Sequence, residues 1–401
     1  MPEASATAFD SNHRPFTPSA LLNLDRAIQC EIDAGRIPGA ALLLARGDHA
    51  VYEKTWGQRR PGDPAAMTID TIFRIYSMTK PVVSVAIMML AEQGRLLISD
   101  PVAQHLPALA NLQVARESAG VPGMVLEPCV HEMTIQDLLR HTAGLTYGIF
   151  GAATQVKAAY VASGIDSGHL SNAELVQRLA TLPLAFQPGT TWEYSRATDV
   201  LGALLEKISG QTLDVFLEEH IFTPLQMSDT AFWVAPEQQH RLAEPFAIDP
   251  VTTRAVRLLD VRSRPVFLSG GGGLVSTAHD YLRFARMLRN HGELDGVRLL
   301  SRKTVDFMTS DHLSGMPDAR SAAGYLPGPG YGFGLGFAVR TEVGAAWTPG
   351  SVGDFHWSGL AGTYFWIDPE EDLIAIWLMQ APEQRDRFRQ LLRNLVHASV
   401  P

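Results

Sequence analysis

The chain has 401 residues, of which 46% are hydrophobic and 19% charged, and its 33 basic and 42 acidic side chains give a formal net charge of −9. This is the composition of an ordinary globular protein, and it excludes disordered, collagen-like and fibrous classes. The acidic balance argues against a nucleic-acid partner. No stretch approaches the roughly 18 uncharged apolar residues that a membrane-spanning helix needs, so we expect no membrane association.

The cysteines and the N-terminal segment bear on the compartment. Cys30 and Cys129 are the only cysteines and lie far apart in the chain, so we expect two reduced thiols rather than a disulfide or a zinc site. Residues 1–19 are polar and lack the apolar segment of a secretion signal. We therefore expect a cytoplasmic protein.

The predicted elements, in chain order, place strands near both ends of the chain. Hydrophobic periodicity and turn residues predict a helix at residues 18–35, a hairpin at 40–56 with its turn at 46–48, and a second helix at 76–92. A mostly helical middle follows at about 100–240, and the chain closes with strands at 362–367 and 373–380 and a helix at 383–396. Strands and helices at both ends with a helical middle favour an α/β body with a helical insertion.

One short motif carries chemistry. Residues 77–80 read Ser-Met-Thr-Lys, an S-x-x-K tetrapeptide at the predicted start of a helix. The spacing of three puts Ser77 and Lys80 on one helix face, where free backbone N–H groups favour a developing oxyanion. A lysine whose pKa is lowered can take the proton of a serine hydroxyl. Thr154 and Lys157 repeat the spacing without a serine. No G-x-S-x-G, P-loop or H-E-x-x-H motif accompanies the S-x-x-K.

Three segments in order resemble the serine β-lactamase and penicillin-binding-protein superfamily, in its class C-like branch. They are residues 73–82 (FRIYSMTKPV), 138–145 (LLRHTAGL) and 272–280 (GGLVSTAHD). The resemblance implies a β-lactamase-like α/β fold, an antiparallel sheet flanked by helices, with a mostly helical inserted domain. The catalytic unit is predicted to span 18–398, with an α/β subdomain at about 18–80 and 245–398 and a helical subdomain at about 81–244.

Tyr194-Ser195-Arg196 stands where the superfamily has Y-x-N. The resemblance implies that Tyr194 lies beside Ser77 and Lys80 and takes part in proton transfer, as a phenolate or as a hydrogen-bond relay. Arg196 replaces the usual asparagine. We expect it to contact the substrate, where its guanidinium could partly replace the cation that the third superfamily motif usually supplies.

The third superfamily motif, K-T-G or H-x-G, is represented by Trp357-Ser358-Gly359, and His356 precedes it. An alignment shifted by one residue would give His356 the motif position, so all four residues are predicted to bind substrate. Tryptophan in place of lysine removes a cation that binds substrate carboxylates in β-lactamases and peptidases, and W-x-G is similar to the family VIII carboxylesterases. By the same resemblance, the backbone N–H groups of Ser77 and Leu360 form the oxyanion hole.

The sequence thus predicts a serine carboxylesterase that hydrolyses short-chain or small-molecule esters through an acyl-enzyme on Ser77. The alternatives are a β-lactamase or a D-amino-acid amidase or peptidase, an acyltransferase of the same superfamily, and a non-catalytic member of the fold. The mechanism needs no metal or organic cofactor, and the expected partner is a small-molecule ester; the oligomeric state is left open. Five aromatic residues could line an apolar pocket or pack in the core: Phe150, Trp233, Phe246, Tyr325 and Phe333.

Overall fold

The computed structural model describes residues 16–47, 49–117, 123–321 and 324–401. Asp48 of the predicted hairpin turn and residues 1–15 of the polar start lie outside these ranges. The helices are α1 Pro18–Asp33, α2 Thr79–Glu92, α3 Val102–His105, α4 Ile135–Leu139, α5 Gln155–Ala162, α6 Asn172–Leu179, α7 Ala197–Ser209, α8 Leu213–Leu217, α9 Ala278–Arg289, α10 Arg302–Met308 and α11 Arg385–His397. The strands are β1 Gly39–Arg46, β2 His49–Gly57, β3 Phe73–Arg74, β4 Gln113–Glu117, β5 Met124–Pro128, β6 Val275–Ser276, β7 Glu293–Leu294, β8 Val297–Arg298, β9 Tyr331–Phe333, β10 Ala338–Arg340, β11 Phe355–Ser358, β12 Tyr364–Asp368 and β13 Leu373–Met379.

The main sheet joins the two ends of the chain. Its strand order is β2-β1-β13-β12-β11-β10-β9, and the pairings are antiparallel. Helices α1 and α11 pack together, with α1 against β2, whereas α9 contacts β1 and β13. The α/β architecture predicted from the sequence, an antiparallel sheet flanked by helices, is therefore confirmed.

The two faces of the sheet bury different cores. In β13, Ile374, Ile376 and Leu378 belong to the larger core, and Ala375 and Trp377 belong to the smaller core beneath the terminal helices. A strand alternates its side chains between faces, so burial on both sides requires the continuous apolar run that the sequence has here. The same reasoning explains why β1 is buried along its whole length.

The middle of the chain differs from the sequence expectation at one hairpin. Strands β4 and β5 form this hairpin, which the sequence analysis did not predict. The segment that contains Thr154 and Lys157 forms the start of α5. Thr154 caps that helix, because its hydroxyl accepts the backbone N–H of Lys157. The T-x-x-K spacing of Thr154 and Lys157 is therefore explained by a helix cap. No helix among the described residues is long and apolar enough to cross a membrane.

A small ladder sets the position of the α2 N-terminus. Strands β3 and β6 pair antiparallel, with Phe73 opposite Ser276 and Arg74 opposite Val275. Just beyond β3, the backbone N–H of Ile75 donates to the carbonyl of Leu274 at 3.0 Å. These bonds hold the Gly270–Gly273 run directly beside the first turn of α2.

Candidate active site

The site is built around a single helical turn, Tyr76–Met78, that leads into α2. Ser77 lies on this turn. Tyr76 before it has a φ of 44°, a left-handed conformation that costs a non-glycine residue about 1–3 kcal/mol. The hydroxyl of Tyr76 accepts the backbone N–H of Leu259 at 2.8 Å, which helps to hold this turn in place.

Lys80 is buried at the centre of the site, with a relative exposure of 1%. Its Nζ donates to the carbonyl of Gly271 at 2.6 Å, to the Tyr147 hydroxyl at 3.1 Å and to Ser77 Oγ at 3.3 Å. It also lies 4.5 Å from the centroid of the Tyr194 ring. The structure therefore brings together Ser77, Lys80 and Tyr194, as the sequence analysis predicts.

Tyr194 sits in a cage of aromatic rings. Trp357 Nε1 donates to the Tyr194 hydroxyl at 3.3 Å, and their ring centroids are 5.4 Å apart. His141 lies 5.1 Å from the Tyr194 ring, and its Nδ1 is 3.2 Å from Ser195 Oγ. Burial and the charge of Lys80 hold the pKa of His141 well below its usual value, so the imidazole is a neutral wall of the site.

The protonation of Lys80 differs from the sequence expectation. Burial lowers the pKa of Lys80, but Tyr147, Tyr194 and Asp199 raise it, and the net shift is upward. The prediction of a lysine with a lowered pKa is therefore wrong. Burial raises the pKa of Tyr147 to about 12, so this phenol is neutral at pH 7. The site holds a buried ammonium ion beside the neutral phenol of Tyr147 and the ring of Tyr194.

Two backbone donors lie at the predicted oxyanion hole. Within the described part of the chain, neither the N–H of Ser77 nor that of Leu360 donates a hydrogen bond. Gly359 packs against the turn before Ser77, since a Cβ at this glycine would be 2.4 Å from the Ile75 carbonyl oxygen. Thr363 Oγ1 also donates to that carbonyl at 3.2 Å. The strand end and the nucleophile turn are thus held in contact.

Arg196 has its charge compensated inside the protein. Its guanidinium pairs with Asp199 at 3.1 Å and with Asp166, and it lies 5.1 Å from the centroid of the Tyr147 ring. Its side chain is 11% exposed. The expectation that Arg196 contacts substrate stays a prediction, for a guanidinium that two carboxylates already bind.

His356 lies on the opposite face of β11 from Trp357, since neighbouring residues of a strand point to opposite faces. Its ring packs against Tyr331 and Tyr364, with centroids 4.9 and 5.4 Å away. The ring therefore lies on the face of β11 away from Trp357, and the role of His356 in substrate binding stays a prediction. Ser358 ends the strand opposite Tyr364, and its role in substrate binding stays a prediction.

Sequence reasoning missed two groups that touch Lys80, the Tyr147 hydroxyl and the Gly271 carbonyl. Tyr147 lies two residues beyond the matched segment 138–145, and Gly271 lies one residue before the segment 272–280. Of the five aromatic residues singled out from the sequence, three contact the aromatic cage around Tyr194. Phe150 contacts Tyr194 itself, Phe333 contacts Trp357, and Tyr325 contacts Trp192, whose ring stacks on Tyr194. Trp233 and Phe246 have no ring contact with that cage among the described residues.

This arrangement can activate a serine and stabilise an oxyanion. It contains a hydroxyl nucleophile, a neighbouring phenol and ammonium for proton transfer, and two backbone donors, set in apolar walls. The described residues contain no group of three or more histidine, cysteine, aspartate or glutamate side chains that could hold a metal ion.

Comparison with known proteins identifies the family. A family model described as Beta-lactamase matches residues 24–398. Protein Rv1367c of Mycobacterium tuberculosis is 36% identical over 90% of this chain and 90% of its own length. Esterase EstB of Burkholderia gladioli is 32% identical over 87% of this chain and 88% of its own length.

One solved structure extends the comparison to three dimensions. EstCE1, described as a hydrolase with promiscuous acyltransferase activity, is 27% identical and superposes with a TM-score of 0.79 over 94% of this chain and 99% of its own. These matches confirm the β-lactamase-like fold and the predicted resemblance to serine hydrolases that include carboxylesterases.

Proposed function

We propose that this chain, which belongs to the beta-lactamase family and is a serine hydrolase, is a carboxylesterase acting on short-chain or small-molecule esters. The observation that carries the proposal is the place of Trp357. Its indole lies beside Tyr194 and donates to the Tyr194 hydroxyl. The motif resemblance gives β-lactamases and peptidases a lysine cation at this position of the sequence. An uncharged ester fits such a site better than a carboxylate-bearing β-lactam.

In the proposed mechanism, Ser77 Oγ attacks the ester carbonyl carbon. Tyr194, as a phenolate beside the Lys80 ammonium, takes the Ser77 proton, and the N–H groups of Ser77 and Leu360 bind the oxyanion. Collapse of the tetrahedral intermediate breaks the ester C–O bond, and the proton passes to the departing alcohol. Water then attacks the acyl-enzyme and gives its proton to the Tyr194 phenolate. The bond between the acyl carbon and Ser77 Oγ breaks, Tyr194 returns the proton to Ser77 Oγ, and the acid leaves.

Acyl transfer to an alcohol is a second candidate. It shares the acyl-enzyme and replaces water by an alcohol in the last step. The aromatic walls formed by Phe150, Phe333 and Trp357 favour an apolar acceptor, and EstCE1 is described as having promiscuous acyltransferase activity. Addition of a primary alcohol during ester turnover tests this candidate, since transfer yields a new ester at the expense of free acid.

For the location, we propose the cytoplasm. Cys30 and Cys129 are free thiols, as is usual for proteins in a reducing compartment. Fractionation of the native host, with an antibody to this chain, tests the location.

The test of the enzymatic proposal is hydrolysis of p-nitrophenyl butyrate and nitrocefin, measured side by side. We expect fast butyrate hydrolysis with little nitrocefin turnover, loss of the activity in Ser77→Ala and unchanged activity in Ser310→Ala, whose serine is exposed. Nitrocefin turnover equal to or faster than butyrate hydrolysis would make the protein a β-lactamase.

A further inference from the structure

Asp199 is a buried carboxylate with every side-chain oxygen engaged. It lies in the first turn of α7 with a side-chain exposure of 1%. Its Oδ1 accepts from Ser269 Oγ at 2.6 Å and from the backbone N–H of Gly271 at 2.9 Å, and its Oδ2 accepts from Arg196 at 3.1 Å. Burying a carboxylate is costly unless it is paired and hydrogen-bonded, and these three donors meet that condition.

The Gly271 residue connects this carboxylate to Lys80. Its N–H donates to Asp199, and its carbonyl accepts from Lys80 Nζ at 2.6 Å. The approach is close on both sides, because a Cβ at Gly271 would lie 2.9 Å from Asp199 Oδ1 and 2.8 Å from the Tyr147 hydroxyl. Hydrogen bonds in such a chain polarise one another in a low-dielectric interior.

We propose that Asp199 is a positioning residue for Lys80, which it fixes through Gly271 and keeps as an ammonium ion. It does not touch the substrate. Its effect on the rate rests on the proposed esterase function, whereas its effect on Lys80 does not.

Asp199 is the carboxylate among the groups that compensate the charge of Lys80, and the proposed mechanism adds the phenolate of Tyr194. Burial disfavours the ammonium form of a lysine. The groups packed around it are the hydroxyls of Ser77, Tyr147 and Tyr194 and the imidazole of His141, whose pKa is well below its usual value. Tyr147, with a pKa of about 12, is neutral at pH 7. Among the causes that raise the pKa of Lys80, Asp199 is the carboxylate.

Arg196 competes for the same carboxylate, and a second acid relieves that competition. Asp166, whose side chain is 41% exposed, pairs with the other side of the Arg196 guanidinium. The partly exposed Asp166 therefore neutralises Arg196, and the negative charge of Asp199 remains available to stabilise the Lys80 ammonium. This pairing explains how an arginine is accommodated at the Y-x-N position next to a buried ammonium ion.

The small number of lysines makes a direct experiment practical. The chain contains five, Lys54, Lys80, Lys157, Lys207 and Lys303, so protein labelled with ¹³C at lysine Cε gives five resonances. Lys80→Met assigns the buried one. In the wild type we expect the Lys80 resonance to stay at the ammonium position up to pH 10. Asp199→Asn keeps the shape of the side chain. In this variant we expect the titration midpoint of Lys80 to fall by at least about one pH unit and to lie below pH 10.

Two matched variants separate charge from structure. Ser269→Ala removes a hydrogen bond from Asp199 and keeps its charge, so the Lys80 titration is expected to stay at the wild-type position. Asp166→Asn removes the second acid that neutralises Arg196, so the Lys80 midpoint is expected to fall, but by less than in Asp199→Asn.

A Lys80 resonance in Asp199→Asn that stays at the ammonium position up to pH 10 would overturn the proposal. A wild-type Lys80 that titrates near pH 7–8 would also overturn it, whether or not the variant folds. Because this readout needs no substrate, it stands apart from the ester assay, and either one can fail alone.

Discussion

The indole N–H of Trp357 donates to the hydroxyl of Tyr194 at 3.3 Å, which joins strand β11 to the loop before α7. We expect this contact to orient the tyrosine proposed for proton transfer.

Trp357→Phe keeps an aromatic ring in the cage and removes the donor. A hydrogen bond of this kind contributes about 1 kcal/mol, so we expect kcat for p-nitrophenyl butyrate to fall by roughly fivefold. Trp347→Phe is the matched control, because Trp347 is 77% exposed. Equal rates in both variants would show that the contact does not orient Tyr194.

Gly271→Ala tests the packing around Lys80. The new Cβ would meet the Tyr147 hydroxyl at 2.8 Å and the Asp199 carboxylate at 2.9 Å, which displaces the carbonyl that binds Lys80. A displacement of about 1 Å at a catalytic group costs roughly a hundredfold in rate, and we expect a loss of that order in kcat. Gly344→Ala, where a Cβ meets no atom within 4 Å, is expected to keep the wild-type rate.

A buried ion cluster formed by Asp354, Arg340 and Arg393 is expected to contribute strongly to the free energy of unfolding. Asp354 is fully buried and binds Arg340 at 2.7 Å and Arg393 at 3.0 Å. Asp354→Asn leaves two buried guanidinium groups without their carboxylate, so we expect the free energy of unfolding to fall by about 3–5 kcal/mol in urea titrations. Asp386→Asn, at a 73% exposed side chain, is expected to change it little. Similar stabilities of the two variants would contradict this role.

Asp280 should make stability depend on pH. Burial raises the pKa of this carboxyl to about 6, whereas the unfolded chain has a value near 3.9. Between these values the folded state binds the proton more tightly, so this group's contribution to stability falls as pH rises from about 4 through 6. Its full size is on the order of 2–3 kcal/mol.

Asp280→Asn removes this titration. We expect the wild type to lose more stability than the variant between pH 4 and pH 7, measured by urea unfolding at each pH. Parallel pH profiles for the two proteins would show that Asp280 titrates normally in the folded state.

Local patterns account for what the sequence could predict. Ser77 and Lys80 lie three residues apart at one helix start, and β1 and β13 are apolar runs that read as buried strands. Tyr194 and Trp357 lie far from them in the chain and were predicted only through the resemblance to a known superfamily.

The remaining features depend on tertiary pairing. The hydrogen bond from Lys80 to Gly271 joins positions 191 residues apart, and Arg196 pairs with Asp166 across 30 residues, so neither contact follows from local spacing. The position of His356 could have been predicted, because a strand that directs Trp357 to the site directs its neighbour to the other face. The direction of the Lys80 pKa shift required the places of Tyr147, Tyr194 and Asp199.

The most direct test of the central claim is mass spectrometry of the protein quenched with acid during turnover of p-nitrophenyl butyrate. The account predicts one butyryl group on the peptide that contains Ser77, and none on Ser77→Ala. Turnover without acylation of Ser77, or a butyryl group on another residue, would contradict it.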